Sequence, residues 1–153
     1  MQTRRSGFTI LELVIVLVLM GLAGGVVLPS IGRTMGAFKI DRTAGVVAGE
    51  LQKARTLAAR TRRPMVVMIT GSGRRIRVVE FGTGTVHSDM RFNSSSELGV
   101  QRFHDGGDAQ VVLFPNGLAD AQLSINIREN GQRRQVHMTR AGQIRITTPT
   151  TTP

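Results

Sequence analysis

The chain contains no cysteine, no tryptophan and no tyrosine. Disulfides, thiolate metal sites and cysteine nucleophiles are thereby excluded, and the redox compartment cannot be read from thiol usage. The only aromatic residues are Phe8, Phe38, Phe81, Phe92, Phe103 and Phe114, so platforms on which nucleic-acid bases stack are scarce. Lysine occurs only as Lys39 and Lys53, although basic residues outnumber acidic ones by 20 to 10. The excess is arginine, whose charge is permanent at physiological pH. A net charge of +10 favours polyanionic partners such as nucleic acid, anionic lipid or an acidic protein face. It is equally the property of a solvated basic surface, and it says nothing about fold.

Catalytic constellations are wanting as well. His87, His104 and His137 lie far apart in the chain. His104 and Asp105 with Asp108 are candidate cation ligands, but a solvated loop accounts for them better than a metal site. Ser94-Ser95-Ser96 lacks the strand-to-helix elbow of a serine hydrolase. Gly71-x-Gly73 and Gly82-x-Gly84 lack the context of a phosphate loop and read as turns. No enzymatic activity, metal or cofactor is expected.

What the sequence does have is a dense apolar block at its start. At 153 residues the chain suits one ordinary domain plus one appendage. Residues 8–28 read FTILELVIVLVLMGLAGGVVL, close to the ~20 apolar residues that cross a hydrocarbon core as a helix. The basic segment MQTRRSG precedes them, which by the positive-inside rule leaves the N-terminus cytoplasmic and sends the remainder outward. No small-residue cleavage site follows the block, which runs to Val26-Val27-Leu28-Pro29, so a retained segment is expected rather than a secretory signal. Glu12 interrupts it, and a carboxylate inside a membrane helix costs about 2.5–3.5 kcal/mol. It either reaches interfacial water or a proton, or it is paired.

The stretch S6-G7-F8-T9-I10-L11-E12-L13 resembles the processing site of type IV prepilins and type II secretion pseudopilins. In that family a membrane peptidase cuts after the glycine on the cytoplasmic side and methylates the new amine. The resemblance implies cleavage after Gly7, N-methylation of Phe8, and Glu12 as an assembly determinant. An ammonium at Phe8 and a carboxylate at Glu12 of neighbouring subunits neutralise one another where an unpaired charge is costly, which selects register. Pro29, after Gly24-Gly25, falls where pilins commonly carry a helix-disturbing proline.

Beyond Pro29, Val46, Val47, Leu51, Ala54, Leu57 and Ala58 follow helical spacing on one face, and the helix should stop before Pro64. From Met65 the period shortens to MVVMIT and RIRVVEF around Gly71-Ser72-Gly73. Further strands are expected at Val100–Phe103, Val111–Phe114, Leu123–Arg128, Gln135–Thr139 and Gln143–Thr147. Asn130-Gly131 is the clearest tight-hairpin signal. Residues 82–99 read as a loop with room for one weak strand, and the TTPTTTP tail as disordered. The expected fold is α+β, a long N-terminal helix whose amphipathic half packs on an antiparallel sheet or small β-sandwich. Its segments are 1–7 leader, 8–28 membrane or filament-core helix, 29–62 amphipathic continuation, 63–147 periplasmic β domain and 148–153 tail.

Three further stretches, L51-Q-K-A-R-T-L-A-A-R60, F114-P-N-G-L118 and A141-G-Q-I-R-I146, resemble the GspH/FimT group of minor pilins and pseudopilins. Partners implied are other pilin or pseudopilin subunits, the prepilin peptidase, the inner membrane and secreted cargo. Some members bind double-stranded DNA and end in Gly-Arg-x-Arg. Here the matching Gly142-Gln143-Ile144-Arg145 lacks one arginine, so that activity does not transfer by motif. Candidate DNA contacts are Arg74, Arg75 and Arg77, and Arg133, Arg134, Arg140 and Arg145, each adding salt-dependent phosphate affinity. Solvated single arginines are the competing reading.

Overall fold

The computed structural model describes residues 9–93, 98–104 and 106–149, with the side chains of 24–34 outside the description. Gly7, Phe8, the Ser94–Ser96 run, Asp105 and the end of the tail from residue 150 lie outside the described residues. The chain divides into two compact units, Met1–Met35 and Gly36–Pro153. A single helix α1, Ile10–Thr61, contributes to both. Its backbone is helical through Gly24-Gly25 and Pro29. The resemblance implies a helix-disturbing role for Pro29 within a filament, and the proline side chain is outside the description.

In the second unit α1 buries Ile40, Ala44, Val47, Leu51, Ala54 and Ala58, none more than 1% exposed. They alternate in steps of four and three, which keeps one stripe facing inward. Val46 and Leu57 flank the stripe half-buried rather than forming its centre. The helix ends at Thr61 because Arg62 turns left-handed (φ 55°) and Pro64 cannot continue the hydrogen-bond ladder.

Two antiparallel four-stranded sheets follow. Sheet A has the order β3-β2-β1-β5, from β1 Met65–Thr70, β2 Arg75–Glu80, β3 Val86–Arg91 and β5 Asp108–Leu113. Sheet B has the order β4-β6-β7-β8, from β4 Arg102–Phe103, β6 Leu123–Glu129, β7 Gln132–Met138 and β8 Ile144–Thr147. Met65, Val67, Ile69, Ile76 and Val78 of sheet A join Leu123, Ile125, Ile127, Val136 and Met138 of sheet B in one core with the helix stripe. Phe92 and Phe103 stack within it, centroids 4.7 Å apart. Asn130 (φ 46°) and Gly131 (φ 79°) close the β6–β7 hairpin with Glu129 paired to Gln132, as the Asn-Gly signal demanded.

Three strands depart from expectation. β3 is a full edge strand with a register irregularity opposite Val78 and Val79. It was hard to read because its residues are mostly exposed and carry no apolar alternation. β4 is only two residues long, and β5 begins three residues earlier than the apolar run suggested.

The three stretches quoted for the second resemblance meet in one junction. Arg55 Nε on α1 donates to the carbonyl of Gly117 at 3.2 Å. The β7–β8 turn presses Gly142 against the same carbonyl, so closely that a Cβ there would stand 2.1 Å from it. Gly142 is also left-handed, at φ 72°. Gly142→Ala is therefore expected to destabilise the protein by about 2–4 kcal/mol, combining backbone strain with overpacking. Gly82→Ala, left-handed but facing open space, should lose only about 1–2 kcal/mol from backbone strain. Urea melts of both variants check the difference.

Candidate functional site

At the start of α1, Thr9 caps the helix. Its hydroxyl accepts the N–H of Glu12 at 3.2 Å, and its carbonyl accepts that of Leu13 at 3.2 Å. Thr9-x-x-Glu12 is thus the sequence form of a capping box, with the Thr9 half of the bonding in place. The sequence reading missed Thr9, although the spacing was legible. Glu12 lies in the first turn of α1, where the positive end of the helix dipole favours a carboxylate. Residues 10–23 are all exposed. Among the described residues no helix is long and apolar enough to cross a membrane. The apolar block extends past the described side chains at both ends, and the fourteen residues between span about 21 Å as helix, against ~30 Å of hydrocarbon.

The second unit carries all the candidate DNA-contact arginines, and the register sorts them. Arg75 and Arg77 share the outer face of sheet A, as their alternation implied, but both are held by Asp89 of β3. Arg75 donates from Nε to Asp89 Oδ1 at 2.5 Å and from a terminal nitrogen to Oδ2. These hydrogen bonds, and secondarily the nearby guanidinium charges, hold the Asp89 carboxyl down at about 2, with desolvation opposing. Arg74 stands apart in the β1–β2 turn, left-handed at φ 46°.

Arg133 and Arg134 do not act together. Successive strand residues face opposite sides, and Arg134 is tied to Asp41 of α1 at 2.5 and 3.2 Å. Arg133 instead pairs in register with Arg128, which pairs with Arg102. Three arginines therefore form one row across β4, β6 and β7. Arg145 pairs with His137 on the same face, farther along β7, while Arg140 sits in the turn between β7 and β8. Arg102 and Arg128 were missed because strand pairing across sheet B cannot be read from spacing within one strand.

Elsewhere charge is spent on structure. Arg63 binds the carboxylate of Glu80, which also meets His87 Nε2 at 3.4 Å. The Arg63 hydrogen bond, opposed by desolvation and aided by His87, holds Glu80 below the usual carboxylate range. Buried Glu50 accepts from Lys53 at 2.7 Å and from Ser88 of β3 at 2.8 Å. Among the described residues no three His, Asp or Glu side chains gather to hold a metal.

The prokaryotic N-terminal methylation motif matches residues 2–28. Two crystal forms of the type IV minor pilin FimU of Pseudomonas aeruginosa share the fold. One is 15% identical over 76% of this chain and 92% of that chain, with a TM-score of 0.57. The other is 18% identical over 71% and 96%, with a TM-score of 0.54. No curated protein sequence matches the chain. The chain thus carries the methylation motif of type IV prepilins and has the α+β fold of a minor pilin.

Because the folded Asp89 value lies below the ordinary 3.8, its ion pairs contribute stability that is present above that value and lost as pH falls through about 2. Asp89→Asn should lower the urea midpoint at pH 5, and the gap to the parent protein should narrow as pH falls from about 4 to about 2. A gap of constant size across that range would show that the charge of Asp89 contributes nothing.

Proposed function

We propose that the chain is a minor pilin or pseudopilin, a structural subunit of a type IV pilus or type II secretion filament. One observation carries this reading: a methylation motif over residues 2–28 stands ahead of a domain with the minor-pilin fold. The peptidase cuts after Gly7 and methylates Phe8. Residues 8–28 anchor the subunit in the inner membrane with the N-terminus cytoplasmic and the β domain periplasmic, ready to meet other subunits or cargo.

The chemistry of the new terminus explains Glu12. Cleavage places an ammonium directly before Thr9, next to the positive end of the helix dipole, where two like charges are unfavourable. A carboxylate in the first turn offsets both. In a filament the Glu12 of one subunit meets the Phe8 ammonium of the next as they leave the bilayer together, which makes the pair a register lock. Glu12→Gln keeps the capping spacing and the size of the side chain but not the charge. It should be processed like the parent chain yet be missing from the sheared-filament fraction of cells carrying the native machinery. Equal amounts in that fraction would remove Glu12 from assembly.

A second reading, double-stranded DNA binding, is favoured by Arg102, Arg133 and Arg145, which the strand pairing places on one face of sheet B. Arg75, Arg77 and Arg134 are ion-paired and contribute less. Gel shifts of the full chain in neutral detergent, at two salt concentrations, test it. Retardation should weaken as salt rises and fall further in Arg133→Gln/Arg145→Gln. No retardation at low salt sinks the receptor reading.

A further inference from the structure

We propose that the cleft between the β1–β2 turn and β4 is a binding site for a phosphate-type oxyanion. The cleft, about 400 Å³, is lined by Gly71, Ser72 and Arg74 on one side and by Arg102, His104 and Gly107 on the other. It involves neither Glu12 nor the ion-paired arginines of sheet A.

Three independent features converge there. First, Arg74 and Arg102 bring two guanidinium charges to one cleft, and among the described residues neither side chain has an acidic partner. The contrast with Arg63, Arg75, Arg77 and Arg134, each of which meets a carboxylate, is what marks the pair. The described carboxylate at the edge of the cleft, Asp108, accepts the N–H of Gly71 at 3.2 Å. Second, His104 lines the cleft, and with its Nδ1 buried and without a partner no hydrogen bond within the described structure at that nitrogen competes for the imidazole. Third, Arg74 and His104 are both left-handed, at φ 46° and 55°. Strain of that kind persists where the surroundings hold it, and it concentrates at binding sites.

The walls are held by close backbone packing. A Cβ on Gly71 would stand 2.6 Å from the carbonyl oxygen of His104 and 2.8 Å from that of Gly107. The N–H of His104 donates to the Asn126 carbonyl at 2.7 Å, which ties the same segment to sheet B. Two planar guanidinium forks, an imidazole and the Ser72 hydroxyl are donors suited to an anion with several acceptor oxygens. Chloride has the charge but cannot occupy a fork with two oxygens. The phosphate group can come from a free ion or from the phosphodiester of a nucleic acid, since Arg102 also begins the row that continues through Arg128 and Arg133.

Calorimetric titration of the full chain in neutral detergent with inorganic phosphate, against chloride at matched ionic strength, tests the site. Phosphate should bind and chloride should not. Arg102→Gln and Arg74→Gly should each weaken phosphate about tenfold or more, while Arg145→Gln leaves it unchanged. Arg74→Gly places glycine where the backbone is left-handed, so a loss of binding with an unchanged melting temperature cannot be attributed to unfolding. A short DNA duplex separates the sources. If both variants also lose duplex binding, the ligand is a phosphodiester; if the duplex is unaffected, it is a free phosphate. Phosphate heats no larger than those of chloride, or phosphate binding unchanged in both variants, overturn the proposal. Neither result bears on Glu12 or on filament assembly.

Discussion

Everything in the second unit is arranged around one stripe of α1. Ile40, Ala44, Val47, Leu51, Ala54 and Ala58 are buried together with the inner faces of both sheets, and burying each larger side chain contributes about 1.5–3 kcal/mol. Three alanines on the stripe let strands approach the helix closely, which is why polar atoms beside it reach across. Thr43 donates to the carbonyl of Leu98 at 3.1 Å, Glu50 accepts from Ser88, Arg55 bonds Gly117 and Asp41 binds Arg134. Four contacts of different chemistry thus orient the helix on four separate segments of the β domain. The helix is part of the domain's core, and a fragment beginning after Thr61 would expose the inner faces of both sheets.

The same arrangement decides which arginines are available. A net charge of +10 treats all arginines alike, but the fold does not. Asp89, Asp41 and Glu80 each sit where tertiary packing brings a guanidinium, and those pairs serve folding. For an external anion there remain Arg102 at the β4 edge of sheet B and Arg74 in the β1–β2 turn, neither of them offset by a described carboxylate. Permanent charge of this kind is not switched by pH in the physiological range. Binding through it is regulated by salt and by geometry.

Much of this was legible in the sequence, for reasons that can be named. The helix stripe, its stop at Pro64 and the Asn130-Gly131 hairpin are local signals, in which periodicity and turn chemistry act within a few residues. The methylation motif is equally local. β3 was faint because an exposed edge strand has no apolar alternation to report. The arginine row escaped because it depends on cross-strand register, and Arg133-Arg134, adjacent in sequence, were separated by the pleat onto opposite faces. Nor did the sequence show that Asp89 would sit opposite Arg77, since that pairing rests on a register irregularity between β2 and β3. The stretches around Arg55, Gly117 and Gly142 were quoted separately, and only folding reveals them as one contact.

The central claim is that this chain becomes a filament subunit by trimming at Gly7. The most direct test is the intact mass and N-terminal residue of the membrane-extracted protein from cells carrying the native peptidase. A mature chain beginning at N-methyl-Phe8 is the predicted result. A chain that keeps Met1, or one cut beyond Leu28, would contradict the account and return the question to the basic β domain alone.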